Sequence, residues 1–166
     1  MKREDNILQV MIEIPKGSRN KYEYDKERKV MKFDRMLFSS VHYPSDYGFI
    51  PNTLAEDGDP LDAIVLVWEP TFPGCLIEAY PVGLFKMMDE KGIDYKVLCV
   101  PVHDPQWNHI HSLQDVSTHM LKEIEHFFSI YKDLEQKKVQ VEGWQDYEAA
   151  LVAIAEARAR FKEVAP

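Results

Sequence analysis

The 166-residue chain has only two cysteines, Cys75 and Cys99. Both lie in apolar, strand-like contexts, and their spacing fits no metal motif. They read as buried thiols of a reducing cytoplasm, not as a disulfide frame. Long apolar runs are also missing. The longest, Ala63 to Trp68, is six residues, against roughly 20 for a membrane span. The opening MKREDNILQVMIEIP is broken by charges and offers no signal-peptide core. Positive charge is in deficit, with 20 Lys and Arg against 28 Asp and Glu and a net charge of -8. That argues against a nucleic-acid partner, which favours a basic face. It leaves an anionic substrate open, because a local basic cluster or a bound metal reverses the field. A Walker loop, a dinucleotide-type glycine turn and internal repeats are all absent. At 45% hydrophobic residues, the length predicts one domain, residues 1–166, with a real core.

What is present centres on Asp57-Gly58-Asp59-Pro60-Leu61-Asp62. Carboxylates this close repel one another unless cations neutralise them. An acidic turn feeding the apolar run from Ala63 suggests a site for a hard divalent cation. Asp-Gly is equally a hairpin signal, and Pro-flanked turns need no metal. An EF-hand fails: counting from Asp57, position six should be Gly and is Asp62, and position twelve should be Glu and is Trp68.

Along the chain, Leu8, Val10, Ile12 and Ile14 alternate as one face of a strand, with Glu13 on the other. Lys21 and Glu23 share a side of a second short strand, and Val30 to Leu37 forms a third. Ser39 to Asn52 reads as an unusually aromatic loop containing Tyr43 and Tyr47. Ala63 to Trp68 and Cys75 to Met88 are strands. A loop over Glu90 to Ile93 would make Asp89 and Asp94 cross-strand neighbours, with Lys96 on the face of Asp94. His103, His109 and His111 lack ligand spacing and read as loop residues. Met120, Leu121, Ile124, Phe127, Phe128 and Tyr131 make a helical face. Lys137 to Val141 is a strand or linker, and Trp144 to Phe161 reads as an Ala-rich helix. Strands first and two helices last define an α+β chain whose body is a small barrel or curled sheet.

The charged residues form a pattern. Asp57, Asp59, Asp62, Asp89 and Asp94 gather at two strand–turn junctions. Lys21, Arg35, Lys96, Lys132 and the tyrosines lie in otherwise apolar elements. Carboxylates suit Mg²⁺, and Lys, Arg and Tyr hydroxyls suit phosphate oxygens. Together they suggest metal-assisted phosphoryl transfer to water. A larger phosphate ester and an OB-like nucleic-acid module are the alternatives.

The chain resembles the soluble family I inorganic pyrophosphatases of prokaryotic type. The likeness rests on the Asp57–Asp62 motif together with Ile12-Glu13-Ile14-Pro15, Lys21-Tyr22-Glu23, Asp34-Arg35, Tyr43-Pro44, Tyr47-Gly48, Pro81-Val82-Gly83, Met88-Asp89-Glu90, Asp94 with Lys96, Tyr131-Lys132-Asp133-Leu134-Glu135 and Val141-Glu142-Gly143-Trp144. The resemblance implies a five-stranded, OB-like closed barrel with two C-terminal helices packed outside. It implies a cytoplasmic enzyme that hydrolyses diphosphate with Mg²⁺, Mn²⁺ or another divalent ion being the alternative. Asp57, Asp62 and Asp94 would ligate metal, and Asp89 would join with substrate. Asp59 would deprotonate the attacking water. Lys21, Arg35, Tyr47, Lys96, Tyr131 and Lys132 would hold the phosphoryl groups. Glu13 and Glu23 would orient metal-bound waters, unless they are ordinary ion-paired strand residues. Compact prokaryotic members form hexamers, and His126 matches a contact position, although Ile130 replaces the next interface-like His.

Overall fold

The alternation from Leu8 becomes strand β1 (Leu8–Ile14), and its four aliphatic side chains are all buried. The computed structural model describes residues 2–165. Met1 and Pro166, the two ends of the expected 1–166 domain, lie outside the described residues. Strands β2 (Asn20–Asp25) and β3 (Val30–Met36) form a hairpin sheet of their own, with Lys21 opposite Arg35. Then follow β4 (Asp46–Phe49), β5 (Asp62–Val65), β6 (Leu76–Asp89), β7 (Gly92–Ile93) and β8 (Lys96–Pro101). The pairing runs β1-β4-β5-β8-β6 and returns to β1. This is the closed five-stranded ring expected, and closure leaves those strands no free edge. Only β5 and β8 pair in parallel within it.

Strand β4 corrects the reading of Ser39 to Asn52 as loop. All four of its residues are buried, so it shows no polar–apolar alternation. It also carries a glycine, which disfavours a strand. The glycine is there because the β1 backbone passes so close: a Cβ on Gly48 would lie 1.9 Å from the Met11 carbonyl oxygen.

Helix α1 (Thr118–Ile130) buries Ile124, Phe127 and Phe128 against a cluster that includes Tyr43, Tyr47, Phe85 and Leu98. Helix α2 (Tyr147–Val164) buries Ala150, Ile154 and Ala157 against Val10, Ala63, Val97 and Cys99. The helix expected from Trp144 starts later. Trp144 belongs to β9 (Gln140–Asp146), sits opposite Phe85 of β6 and packs on its ring at 4.9 Å. Asp146 then caps α2, its carboxylate accepting from Tyr147 N at 2.8 Å. Both cysteines are free thiols.

Candidate active site

The ends of the ring strands, the β2–β3 hairpin and the end of α1 converge on one open cavity of about 620 Å³. Glu13 comes from β1, Lys21, Glu23 and Arg35 from the hairpin, and Tyr47 from β4. Asp57 and Asp59 lie on the loop before β5, and Asp62 opens β5. Asp89 ends β6, Asp94 precedes β8, and Lys96 opens it. Tyr131 and Lys132 follow α1 directly. Every residue expected to hold metal or phosphate or to handle the attacking water lines this cavity, whereas His126 does not.

At its floor lies Lys96, 1% exposed. Its Nζ donates to the Tyr47 hydroxyl at 2.6 Å, to both Asp94 carboxylate oxygens at 3.1 Å and to Asp62 Oδ2 at 3.2 Å. Tyr47 in turn donates to Asp62 Oδ2 at 2.8 Å. Around the walls, Lys21 Nζ lies 2.7 Å from Glu23 and 3.2 Å from Asp34. Glu23 is thus ion-paired here. Arg35 pairs with Asp34, and its Nε lies 2.9 Å from Glu135 Oε1. Lys132 Nζ is 3.4 Å from Asp89 and 3.4 Å from Glu90. Asp59 projects into solvent, its nearest cation being Lys91 Nζ at 3.8 Å. Tyr43 is a packing residue, with its ring 4.7 Å from that of Phe127.

The acidic hairpin has a different register from the one expected. Asp89 pairs with Gly92 across a two-residue connection, and Asp94 N donates to Met87 O. Asp89 and Asp94 are therefore diagonal neighbours, not directly opposite. They still share a face, because Met87 and Asp89 lie two residues apart on one strand. Glu90 and Glu135 stand in quoted motifs but, like Lys91 and Lys137, carry no site role in the sequence reading. Glu90, Lys91 and Lys137 line the cavity, and Glu135 reaches it only through Arg35. None of them lies on a periodic face, so hydrophobic periodicity gives no signal for them; the signal for Glu90 and Glu135 is their place in the quoted motifs.

Electrostatics make the cavity hungry for cations. Burial raises the Asp57 pKa, and the neighbouring Asp59, Asp94 and Asp89 add to the shift. Burial likewise raises Asp94, with Lys96 as a partial offset. For Lys96, burial alone would depress the pKa, but Asp94 and Asp62 outweigh it and hold the ammonium charged. Burial and the nearby Asp62 and Asp94 lift Tyr47 well above the usual phenol range, so it stays a hydrogen-bond donor. Glu13 is pushed up to about 7, chiefly by burial, against the bond it accepts from Tyr24 N at 2.9 Å.

The Glu13 shift has a stability consequence for the metal-free protein. The unfolded chain titrates this group near 4.5 and the folded chain near 7. Below 4.5 both states hold the proton and no penalty arises. Between 4.5 and 7 the folded state binds more protons, so stability falls as pH rises. Chemical denaturation in chelator should show this decline, amounting to up to about 3 kcal/mol, and Glu13→Gln should flatten it. Parallel pH profiles for the two proteins would count against the burial argument.

The donor set fits hard divalent cations, since carboxylates predominate and outnumber the lysines and arginines that share the cavity. Among the described residues, no three His, Cys, Asp or Glu side chains already converge as a finished ligand cage. Asp62 and Asp94 are turned onto Lys96 instead.

A closed barrel whose mouth sets paired carboxylates against lysines, an arginine and tyrosine hydroxyls is a site of the class that handles a phosphate anion together with cations. The family model described as inorganic pyrophosphatase matches residues 10–162. An inorganic pyrophosphatase of Methanosarcina mazei is 64% identical over 160 residues, covering 96% of this chain and 95% of that protein. One from Synechocystis is 50% identical, covering 94% and 92%. The crystal structure of the Thermus thermophilus inorganic pyrophosphatase superposes with a TM-score of 0.92 at 46% identity, covering 98% of this chain and 95% of that one. The chain belongs to the inorganic pyrophosphatase family.

Proposed function

We propose that this protein hydrolyses inorganic diphosphate to two phosphates in a Mg²⁺-dependent reaction. The observation that carries the reading is the single cavity in which the acidic loop, the acidic hairpin and the buried Lys96 meet the cations of the β2–β3 hairpin. Asp57, Asp62, Asp89 and Asp94 are the residues that would hold the metal. When bound there, divalent cations neutralise substrate charge and lower the pKa of a coordinated water. Glu13 and Glu23 would hydrogen-bond waters held by that metal. Asp59, free of any strong partner, takes the proton from the attacking water. Lys21, Arg35 and Lys132 hold peripheral phosphoryl oxygens, as do the hydroxyls of Tyr47 and Tyr131. Lys96 holds charge at the floor. As the bridging P–O bond breaks, its electron pair leaves with the departing phosphate, stabilised by these cations.

The chain acts as one domain over 1–166, in the cytoplasm, and assembles as a hexamer with the exposed His126 of α1 at a contact between copies. No helix among the described residues is long and apolar enough to cross a membrane. Phosphate release from diphosphate, measured with Mg²⁺ and again in chelator, tests the reaction. Release is expected only with the metal, and nucleotides are expected to be poor substrates. Fast nucleotide hydrolysis with negligible diphosphate hydrolysis would overturn the reading.

A further inference from the structure

Thr53 is 2% exposed and lies outside the cavity. The antiparallel pairing of β4 with β5 ends at Phe49 opposite Asp62. One step further, Ile50 N donates to Leu61 O at 2.9 Å. The return bond of an ordinary ladder, Leu61 N to Ile50 O, is not made directly. Leu61 N donates to Thr53 Oγ1 at 2.9 Å, and the Thr53 hydroxyl donates to Ile50 O at 2.5 Å. The hydroxyl is a relay inserted into the ladder, using one acceptor and its only donor. It closes the neck of the 51–60 loop right beside Asp62.

A second anchor grips the flank of the loop. Leu54 N donates to the Ala157 carbonyl of α2 at 3.0 Å, and Leu54 O accepts from Arg160 Nη1 at 2.8 Å. Both backbone groups of Leu54 are thereby fixed to a helix remote in sequence. Within the loop, Ala55 N donates to Asp59 O at 2.7 Å, and Asp59 N donates to Asp57 Oδ1 at 3.0 Å. Gly58 turns the chain between them at φ +90°. The loop itself has little apolar weight, with Asn52, Glu56, Gly58 and Asp59 all exposed. Its shape therefore rests on polar anchors.

We propose that Thr53 and Arg160 are positioning residues for the acidic loop, setting Asp57 and Asp59 at the cavity without touching substrate. The assignment rests on the roles given to Asp57 and Asp59 above. Thr53→Val keeps the shape and removes the relay, leaving Leu61 N–H and Ile50 C=O facing a methyl group. Thr53→Ser keeps the hydroxyl, and Arg160→Ala removes the flank anchor.

Amide hydrogen exchange on the metal-free proteins is the first readout. In Thr53→Val, the Ala55, Gly58 and Leu61 amides should exchange at least about tenfold faster while ring-strand amides hold their protection. With Mg²⁺, kcat should fall by about 10²-fold, the scale of a misplaced catalytic group. KM for diphosphate should stay nearly constant, and the Mg²⁺ concentration for half-activation should rise. Thr53→Ser should restore all of these, and Arg160→Ala should move them in the same direction. The proposal is overturned if Thr53→Val and Arg160→Ala show wild-type loop exchange, kcat and Mg²⁺ requirement. It is equally overturned if protection falls uniformly through the barrel, which would make the effect general stability. Should Thr53→Val fail to fold, Arg160→Ala decides by the same readouts. Full activity in an Asp59→Asn control would sink the roles of the loop carboxylates, while faster loop exchange would still stand as evidence of anchoring.

Discussion

Asp59→Asn should leave the fold and its melting temperature unchanged and slow phosphate release by about 10²–10⁴-fold, the usual contribution of a positioned general base. The fold is safe because the Asp59 side chain is 63% exposed and its ion pair with Lys91 spans 3.8 Å at the surface. Exposed pairs of this kind contribute little to stability. The Asn side chain has the same shape and accepts hydrogen bonds, but it cannot take a proton at neutral pH. A deficit in kcat with diphosphate and Mg²⁺ binding retained would match that chemistry. Asp57→Asn should behave differently and raise the Mg²⁺ requirement if, as proposed, Asp57 holds the cation. A folded Asp59→Asn protein turning over at the wild-type rate would remove Asp59 as the base.

Lys96→Met should destabilise the metal-free protein by about 3–5 kcal/mol, and Mg²⁺ should recover part of the loss. Removing one partner of a buried ion pair leaves the other charges uncompensated, which is the costly case. Lys96 is 1% exposed and serves Asp62, Asp94 and Tyr47 at once. Methionine keeps most of the volume, so the loss reports charge and not a cavity. Divalent cations would neutralise the same carboxylates, so the gap between variant and wild type should narrow in Mg²⁺. Urea denaturation in chelator and in Mg²⁺ measures both quantities. Equal stability of the two proteins in chelator would show that Asp62 and Asp94 are neutralised some other way.

Much of this architecture is legible in the sequence. Alternation marked β1, and the 3.6-residue spacing marked α1, because each buries one face and exposes another. The residues that converge on the candidate site are legible because their chemistry is concentrated in short segments such as Asp57 to Asp62. Strand β4 was hidden, since both of its faces are buried and Gly48 argues against a strand. The start of α2 is hidden at Trp144 because an Ala-rich run masks the preceding strand, whose one aromatic residue, Trp144, pairs with Phe85 of β6. The Asp89–Asp94 register depended on a tight turn that composition does not distinguish from a longer one. The roles of Thr53, Arg160 and Glu135 were not legible, because each depends on a partner that only the tertiary fold brings near. Leu54 and Arg160, for example, are 106 residues apart.

The cavity that gathers these side chains has a bearing on the order of events. Its lining holds eleven carboxylates, Glu13 among them, and seven lysines and arginines, so four negative charges remain when all are ionised. A bare, highly charged anion approaching that wall meets net repulsion at close range. Two divalent ions would cancel the excess. The anion is therefore welcome only once the counter-ions are seated or when it carries them in itself. On this reading, free cation concentration would set the fraction of molecules able to take up the anion.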